Sequence, residues 1–113
     1  MVGISGNINA LIQRKVSSKN EIGEGVLSWE NVCNVQGFLD LATGSANYTS
    51  YNSKITESTH VFICDYQDIG VSEEEARMII NNKVYDITYI DNPMELNYHL
   101  EFYLKYIGGV QIV

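Results

Sequence analysis

The chain has 113 residues, 45% of them hydrophobic, a length that suits one compact domain and leaves too little material for two cores. Seven Lys and Arg against fourteen Asp and Glu give a net charge of -7, and an acidic surface argues against nucleic-acid wrapping because it repels phosphate. Cys33 and Cys64 are far apart and accompany no His pair, so we expect a reduced cytosolic chain without zinc or disulfides.

The first element is ambiguous between a strand and a helix. A strand would bring four apolar residues to one face, whereas a helix would collect a different set. The strand face is Ile8, Ala10, Ile12 and Val16, and the helix face is Ile8, Leu11, Ile12 and Lys15. We predict a strand. A second strand is predicted from Val26 to Phe38, with its inward face formed by Leu27, Trp29, Cys33 and Val35.

A polar segment follows the second strand. The run between Gly44 and Ile55 contains little that could anchor it in a core, so we predict a flexible loop or short surface helix, about residues 44–57, inserted into the sheet. Two aromatic residues in this run could be interface anchors or could pack incidentally. The candidate interface residues are Tyr48, Tyr51, Asn52 and Lys54.

The rest of the chain predicts short strands. Residues 59–66 form a β-branched and aromatic run, and Ser72 with Glu75 predicts a capped helical turn at residues 73–76. Three strands of a meander follow at about 77–81, 83–91 and 97–106, the first two joined by a tight turn at Asn81-Asn82. The predicted inward residues include Tyr85, Ile87 and Tyr89 on one strand and Tyr98, Leu100, Phe102, Leu104 and Tyr106 on the next.

Together these elements predict a mainly β, single-domain protein over residues 1–113, an antiparallel barrel-like fold whose core spans about 8–106. No catalytic motif is present. His60 and Cys64 would share a strand face but lie about 13 Å apart by strand rise, beyond hydrogen-bond reach. Successive carboxylates at residues 73–75 do not converge as a calcium loop does, and we interpret His60 and His99 as surface strand residues. We therefore predict no enzymatic activity, cofactor or metal.

Five pieces of sequence occur together in a characteristic order. They are Ile12-Gln13-Arg14-Lys15, Gly25 with Trp29, Gln36 to Gly44, Ser58-Thr59-His60-Val61, and Arg77 to Ile87 followed by Tyr98 to Leu104. In this order and spacing the chain resembles the small head–tail joining, or head-closure, proteins of tailed phages. More narrowly, it resembles the version carried by defective prophage elements of Bacillus-type bacteria.

The resemblance implies a structural role. It implies a β-barrel-like protein that assembles with itself into a ring below the portal or adaptor protein and above a tail-completion protein. DNA would pass through the channel without sequence-specific binding, and the protein would move from the host cytoplasm into the particle. The matched residues His60, Tyr85 and Asp86 carry over as fold determinants, and segment 44–57 as a subunit contact or channel element. The alternative hypothesis is a solitary β-barrel that binds a small ligand or peptide in its mouth.

Overall fold

The computed structural model describes residues 6–41 and 58–109. The four candidate interface residues of the predicted insertion, Tyr48, Tyr51, Asn52 and Lys54, lie outside these described residues. None of the helices in the described part of the chain is long and apolar enough to cross a membrane.

Within the described residues, six antiparallel strands form a closed barrel in the order β1-β2-β3-β6-β5-β4, with β4 returning to pair with β1. The strands are β1 (Ile8–Lys19), β2 (Gly25–Leu41), β3 (His60–Asp65), β4 (Ala76–Ile80), β5 (Lys83–Asp91) and β6 (His99–Gly109). The predicted mainly β, barrel-like fold is confirmed, and the ambiguous first element is a strand. The capped turn is a single 3-10 turn at Glu73–Glu75, where the Ser72 N–H donates to the Glu75 carboxylate at 3.3 Å.

Side chains from all six strands fill the interior of the barrel. Alternate residues of each strand point inward. A barrel of only six strands is narrow enough to be filled by these side chains. Phe62 and Phe102 lie opposite each other on neighbouring strands, with ring centroids 6.5 Å apart. The other members of this core are Ala10, Ile12, Val35, Cys64, Ala76, Met78, Ile80, Tyr85, Ile87, Leu100 and Leu104.

A β-bulge at Val32 changes which face of β2 is buried. Ile12 pairs with Cys33 but Gln13 pairs with Asn31, so Val32 is an extra residue without a partner in β1. Upstream of the bulge the faces are exchanged, because residues paired across two strands share a face. The prediction that Leu27 and Trp29 share the inward face with Cys33 and Val35 is therefore wrong. Trp29 pairs with Lys15 on the outer face, and Leu27 is 58% exposed.

A second bulge, at Thr88, exchanges the faces of β5. Ile87 pairs with Leu104 and Tyr89 with Tyr103, so Tyr89 lies on the outer face and the prediction that it joins Tyr85 and Ile87 in the core is wrong. The Thr88 hydroxyl donates to the Tyr103 carbonyl at 2.9 Å. It also accepts from the Ser58 hydroxyl at 2.6 Å, because its own proton is used in the first bond. This buried pair satisfies the backbone where the strand ladder is interrupted.

The tyrosines divide differently from the prediction. Tyr85 is buried, as predicted, but Tyr98 and Tyr106 are 53% and 44% exposed. Tyr98 precedes the first residue of β6. Tyr106 lies in β6 beyond the core residue Leu104, and its ring centroid is 5.5 Å from that of Tyr85. The alternation of β6 is confirmed for its three central core residues, Leu100, Phe102 and Leu104.

The β4–β5 turn is built as predicted. Asn81 and Asn82 have φ values of 50° and 63°, the left-handed pair that a two-residue hairpin turn requires and that asparagine tolerates better than most residues.

The β1–β2 hairpin extends well beyond the barrel. β4 pairs with β1 only at residues 11–14, and β3 pairs with β2 only at residues 37–41. Residues 15–29, which we call the arm, are therefore a two-stranded ribbon without further strand neighbours. The molecule measures 51 × 31 × 26 Å along its principal axes. At the tip of the arm, the Asn20 side chain accepts from the backbone N–H groups of Ile22 and Glu24 at 3.1 and 2.9 Å.

Candidate functional site

The residues that could carry chemistry have structural roles in the barrel. His60 hydrogen-bonds the Thr59 hydroxyl through Nδ1 at 2.8 Å and meets the Tyr85 ring edge-on at 5.1 Å between centroids. Burial, with smaller contributions from Asp65 and Cys33, raises the pKa of Cys64 to about 11. A thiol with that pKa stays protonated at neutral pH, so Cys64 is a poor nucleophile.

Carboxylates on the outside of β5 and β6 are partnered by other side chains. Glu101 is 3.1 Å from His99 Nε2 and accepts a hydrogen bond of 2.9 Å from the Tyr103 hydroxyl. Burial, and next the charge of Glu101, raise the pKa of Asp91, while His99 acts in the opposite direction. Within residues 6–41 and 58–109, no three His, Cys, Asp or Glu side chains converge as metal ligands.

A stack of polar and aromatic side chains holds the base of the arm against the barrel. The Arg77 guanidinium lies 4.1 Å from the centroid of Trp29, and the Lys15 ammonium lies 5.9 Å from it. Arg77 Nε donates to Gln13 at 2.8 Å, and the Gln13 amide donates to Asn31 at 2.9 Å. Burial lowers the pKa of Arg77, with Asp86 opposing it. The bulge at Val32 creates this stack, since it moves Trp29 to the outer face.

An open groove separates the arm base from the barrel. It has a volume of about 280 Å³, and the walls are mostly polar or charged. Its lining includes Lys15, Trp29, Glu73, Glu74, Asp86 and Thr88. Unlike the apolar pockets that enclose small molecules, this groove is open to solvent and lies between two parts of the chain that already contact each other through the Trp29 stack.

The arm exposes apolar side chains beyond that stack. Ile22 at the tip is 76% exposed, and Val26 and Leu27 are 40% and 58% exposed. One face of the ribbon carries Lys15 and Lys19 on β1, with Leu27 and Trp29 on the paired positions of β2. That face is apolar and basic, and the strand segments that form it contain no carboxylate on the same side.

A second exposed apolar surface is the β5–β6 turn, residues 92–98. Met94, Leu96 and Tyr98 are 85%, 49% and 53% exposed. Met94, Glu95 and Asn97 have φ values of 57°, 55° and 58°, the left-handed conformation that costs non-glycine residues energy. The turn is nevertheless well ordered by its own bonds, because Asn92 accepts from the Asn97 N–H at 3.1 Å and donates its amide to the Asn97 side chain at 2.7 Å.

Sequence reasoning did not identify either surface. The arm could have been recognised from the Asn20 to Gly25 punctuation, in which Asn and Gly mark a hairpin between two alternating runs. A connection between the strands predicted at 83–91 and 97–106 is expected, but nothing in its residue types predicts that Met94 has a left-handed conformation and faces solvent. The predicted insertion surface, residues 44–57, lies outside the described residues, and its role stays a prediction.

The chain is similar to a family of phage proteins and to a protein of a gene transfer agent particle. Residues 8–105, which include all six strands almost completely, match the family described as phage head completion protein. Among solved structures, a chain from the virion of a native gene transfer agent particle is 14% identical. The match covers 91% of this chain and 96% of that one, with a TM-score of 0.57, so the two share a fold. No curated protein matches the sequence.

Proposed function

Because the chain belongs to the phage head completion protein family, we propose that it closes the phage head below the portal and joins the head to the tail as a ring of identical copies. The observation that carries the proposal is the extent of the family match, residues 8–105, which includes the arm and all of the barrel except the last four residues of β6. The protein would be made in the host cytoplasm and incorporated into the particle.

The packing of the barrel supports action through surfaces. A barrel that binds a ligand in its mouth needs an open interior, whereas Phe62, Phe102, Met78 and their neighbours fill this one. Exposed apolar groups instead lie on the outer surface, among them those of the arm, the β5–β6 turn and the ends of β2 and β6, where another protein could cover them. The solitary binding module is therefore the weaker hypothesis.

The charge of the chain fits a channel protein. With fourteen carboxylates against seven Lys and Arg, a ring of copies would carry many negative charges. A negative wall repels the DNA backbone, so DNA would slide through the ring without adhering to it. The expected neighbours are a portal or adaptor protein above the ring and a tail-completion protein below it.

The predicted insertion between β2 and β3 is a further candidate contact surface. The two strands that flank it, β2 and β3, reach the same end of the barrel as the β4–β5 turn, because successive strands are antiparallel. The end of β2 and the start of β3 therefore lie at the barrel end opposite to the arm. We propose that Tyr48, Tyr51, Asn52 and Lys54 form a subunit or channel contact.

Self-association tests the proposal directly. Light scattering behind a sizing column should show oligomers at high concentration, or co-migration with the portal or adaptor protein of the same phage. A chain that neither oligomerised nor co-migrated at any concentration would contradict the ring. The double variant Tyr48→Ala/Tyr51→Ala should weaken association, while the matched Tyr48→Phe/Tyr51→Phe variant, which keeps both rings, should not.

Particles give the second test. A phage whose copy of this gene is disrupted should accumulate heads without tails, and packaged DNA should escape from them. Complementation with the intact gene should restore joined, DNA-retaining particles. Normal joined particles in the disrupted strain would contradict the proposal, whatever the behaviour of the purified protein.

A further inference from the structure

Resting on the proposed ring, we infer that the arm of each copy docks onto the β5–β6 turn of the next copy. The binding partner of the arm is thus a second copy of this chain. The contact is head-to-tail, because residues 15–29 of one subunit cover residues 92–98 of its neighbour. Four features of the structure lead to this assignment.

The first feature is where the two surfaces lie on the barrel. Antiparallel pairing around the barrel brings the β1–β2 and β5–β6 connections to the same end. In the order β1-β2-β3-β6-β5-β4, the β1–β2 pair is three positions away from the β6–β5 pair, half the circumference. A closed ring of identical copies needs two different surfaces on opposite sides of each subunit, and these two satisfy that requirement.

The second feature is the exposure of apolar groups on both surfaces. Ile22 and Leu27 on the arm are 76% and 58% exposed, and Met94 on the turn is 85% exposed. A two-stranded ribbon has little stability of its own in water, so an arm of this length gains from a partner that covers it. Across the described chain, these are two of the places where large apolar side chains cluster in solvent.

The third feature is charge. Lys15 and Lys19 lie on the arm face that also presents Leu27, and both are exposed. Within the turn Glu95 is exposed, and the chain contains no Lys or Arg from position 91 to position 101. The strand face with Lys15 and Lys19, and not the arm tip with Glu21 and Glu24, is therefore the part of the arm whose charge is complementary to the exposed Glu95.

The fourth feature is the conformation of the turn. Met94, Glu95 and Asn97 hold left-handed φ values without being glycine, and Asn92 fixes them by hydrogen bonds to Asn97. Strain of this kind persists where the surrounding structure imposes it, and it is concentrated at binding sites. Here its effect is to fix the backbone that presents the Met94 side chain outward, so the backbone loses little conformational freedom on docking.

Crosslinking tests the contact in the assembled protein. A mixture of the single variants Leu27→Cys and Met94→Cys should form covalent dimers under mild oxidation once oligomers or template-bound rings are present. Either single variant alone, and the unchanged chain with Cys33 and Cys64, should form few. The double variant Leu27→Cys/Met94→Cys should give a ladder of covalent oligomers, because each copy would be linked on both sides.

A charge exchange provides an independent test. Lys19→Glu or Glu95→Lys alone should weaken association about tenfold or more, since each places like charges together, and the combination Lys19→Glu/Glu95→Lys should recover most of the loss. Lys83→Glu, a matched charge reversal at the opposite end of the barrel, should leave association at the arm unchanged.

The outcomes separate this inference from the proposed function. Oligomers that form without a 27–94 crosslink, and without recovery in the charge exchange, would overturn the arm–turn contact while leaving the ring intact. Loss of co-migration with the portal or adaptor in Lys19→Glu, with self-association unchanged, would also overturn it by assigning the arm to another protein. A chain that forms no assembly under any condition would contradict both.

Discussion

The barrel and the arm share the strands β1 and β2, yet the two regions have different sources of stability. In the barrel, β1 and β2 each have strand neighbours on both sides, and their inward residues Ala10, Ile12 and Val35 are buried. In the arm the same strands pair only with each other, and Ile22 and Leu27 remain in solvent. The strand pattern is therefore not what distinguishes a folded core from an exposed ribbon. What distinguishes them is the number of elements that cover each face.

The point where one region becomes the other is defined by a few side chains. The bulge at Val32 moves Trp29 to the outer face, where Arg77 from β4 contacts its ring and bonds Gln13. These contacts join the last fully paired part of β1 to the first residues of the arm. We expect the barrel to fold without its arm being occupied, and the arm to depend on its base and on a partner.

The largest effect should come from removing one leucine from the barrel. Leu104 is fully buried, so Leu104→Ala should lower the free energy of unfolding by about 2–5 kcal/mol, through lost burial and the cavity left behind. Leu27→Ala is the matched control on the arm and should change it by less than about 0.5 kcal/mol. Urea unfolding of the isolated chain measures both. Equal losses of unfolding free energy in the two variants would mean that the arm stabilises the monomer as much as the core does.

A smaller and more local effect is expected at the base of the arm. Trp29→Ala removes the ring beneath Arg77 and should lower the free energy of unfolding by about 1 kcal/mol. Its clearer consequence should be faster amide hydrogen exchange in residues 15–29 with little change in the barrel. Trp29→Phe retains a ring for the cation and should show a weaker effect. Uniform acceleration across the barrel would show that the stack supports the whole fold.

The strands can be predicted from the sequence because apolar and polar residues alternate wherever one face of a strand is buried. Each predicted strand is present, and the Asn81-Asn82 turn has the predicted left-handed conformation. Alternation cannot reveal a bulge, however, since one inserted residue exchanges the faces without changing the residue types nearby. That is why Leu27, Trp29 and Tyr89 were assigned to the wrong face.

The candidate surfaces were harder to predict for a related reason. An exposed leucine and a buried one have the same side chain, and only the pairing of β3 and β4 with part of the hairpin shows that Leu27 lies beyond the barrel. The outward position of Met94 depends on backbone dihedrals that its residue type disfavours. Membership of the family could be recognised because it rests on the order of several short pieces over residues 8–105 and does not require the location of any surface.

The turn offers a change that should separate stability from assembly. Met94→Gly relieves the left-handed strain at φ 57° and removes an exposed side chain, so the monomer should gain about 0.5 kcal/mol in free energy of unfolding after the higher entropy of unfolded glycine is counted. Association should weaken because the anchor is lost. Thermal unfolding and light scattering on the same samples measure the two effects. Loss of monomer stability would mean that the Met94 side chain packs against its own barrel.

The smallest effect concerns pH and the outer face of the barrel beside the turn. Burial, and then Glu101, raise the pKa of Asp91 above its ordinary value of 3.8. A raised pKa in the folded state means that the protonated form favours folding. This contribution is complete below pH 3.8 and is lost as the pH rises through the folded-state pKa.

Asp91→Asn should therefore be slightly more stable than the unchanged chain at pH 7, and the difference should shrink as the pH falls toward 3.8. Urea unfolding of both proteins across this range measures it, and subtraction removes the contribution of the other carboxylates. In a Glu101→Gln background the difference should be smaller, because the second cause of the shift is gone while burial remains. A difference that grew with acidification would mean that the Asp91 charge is stabilised in the folded chain by partners within the monomer.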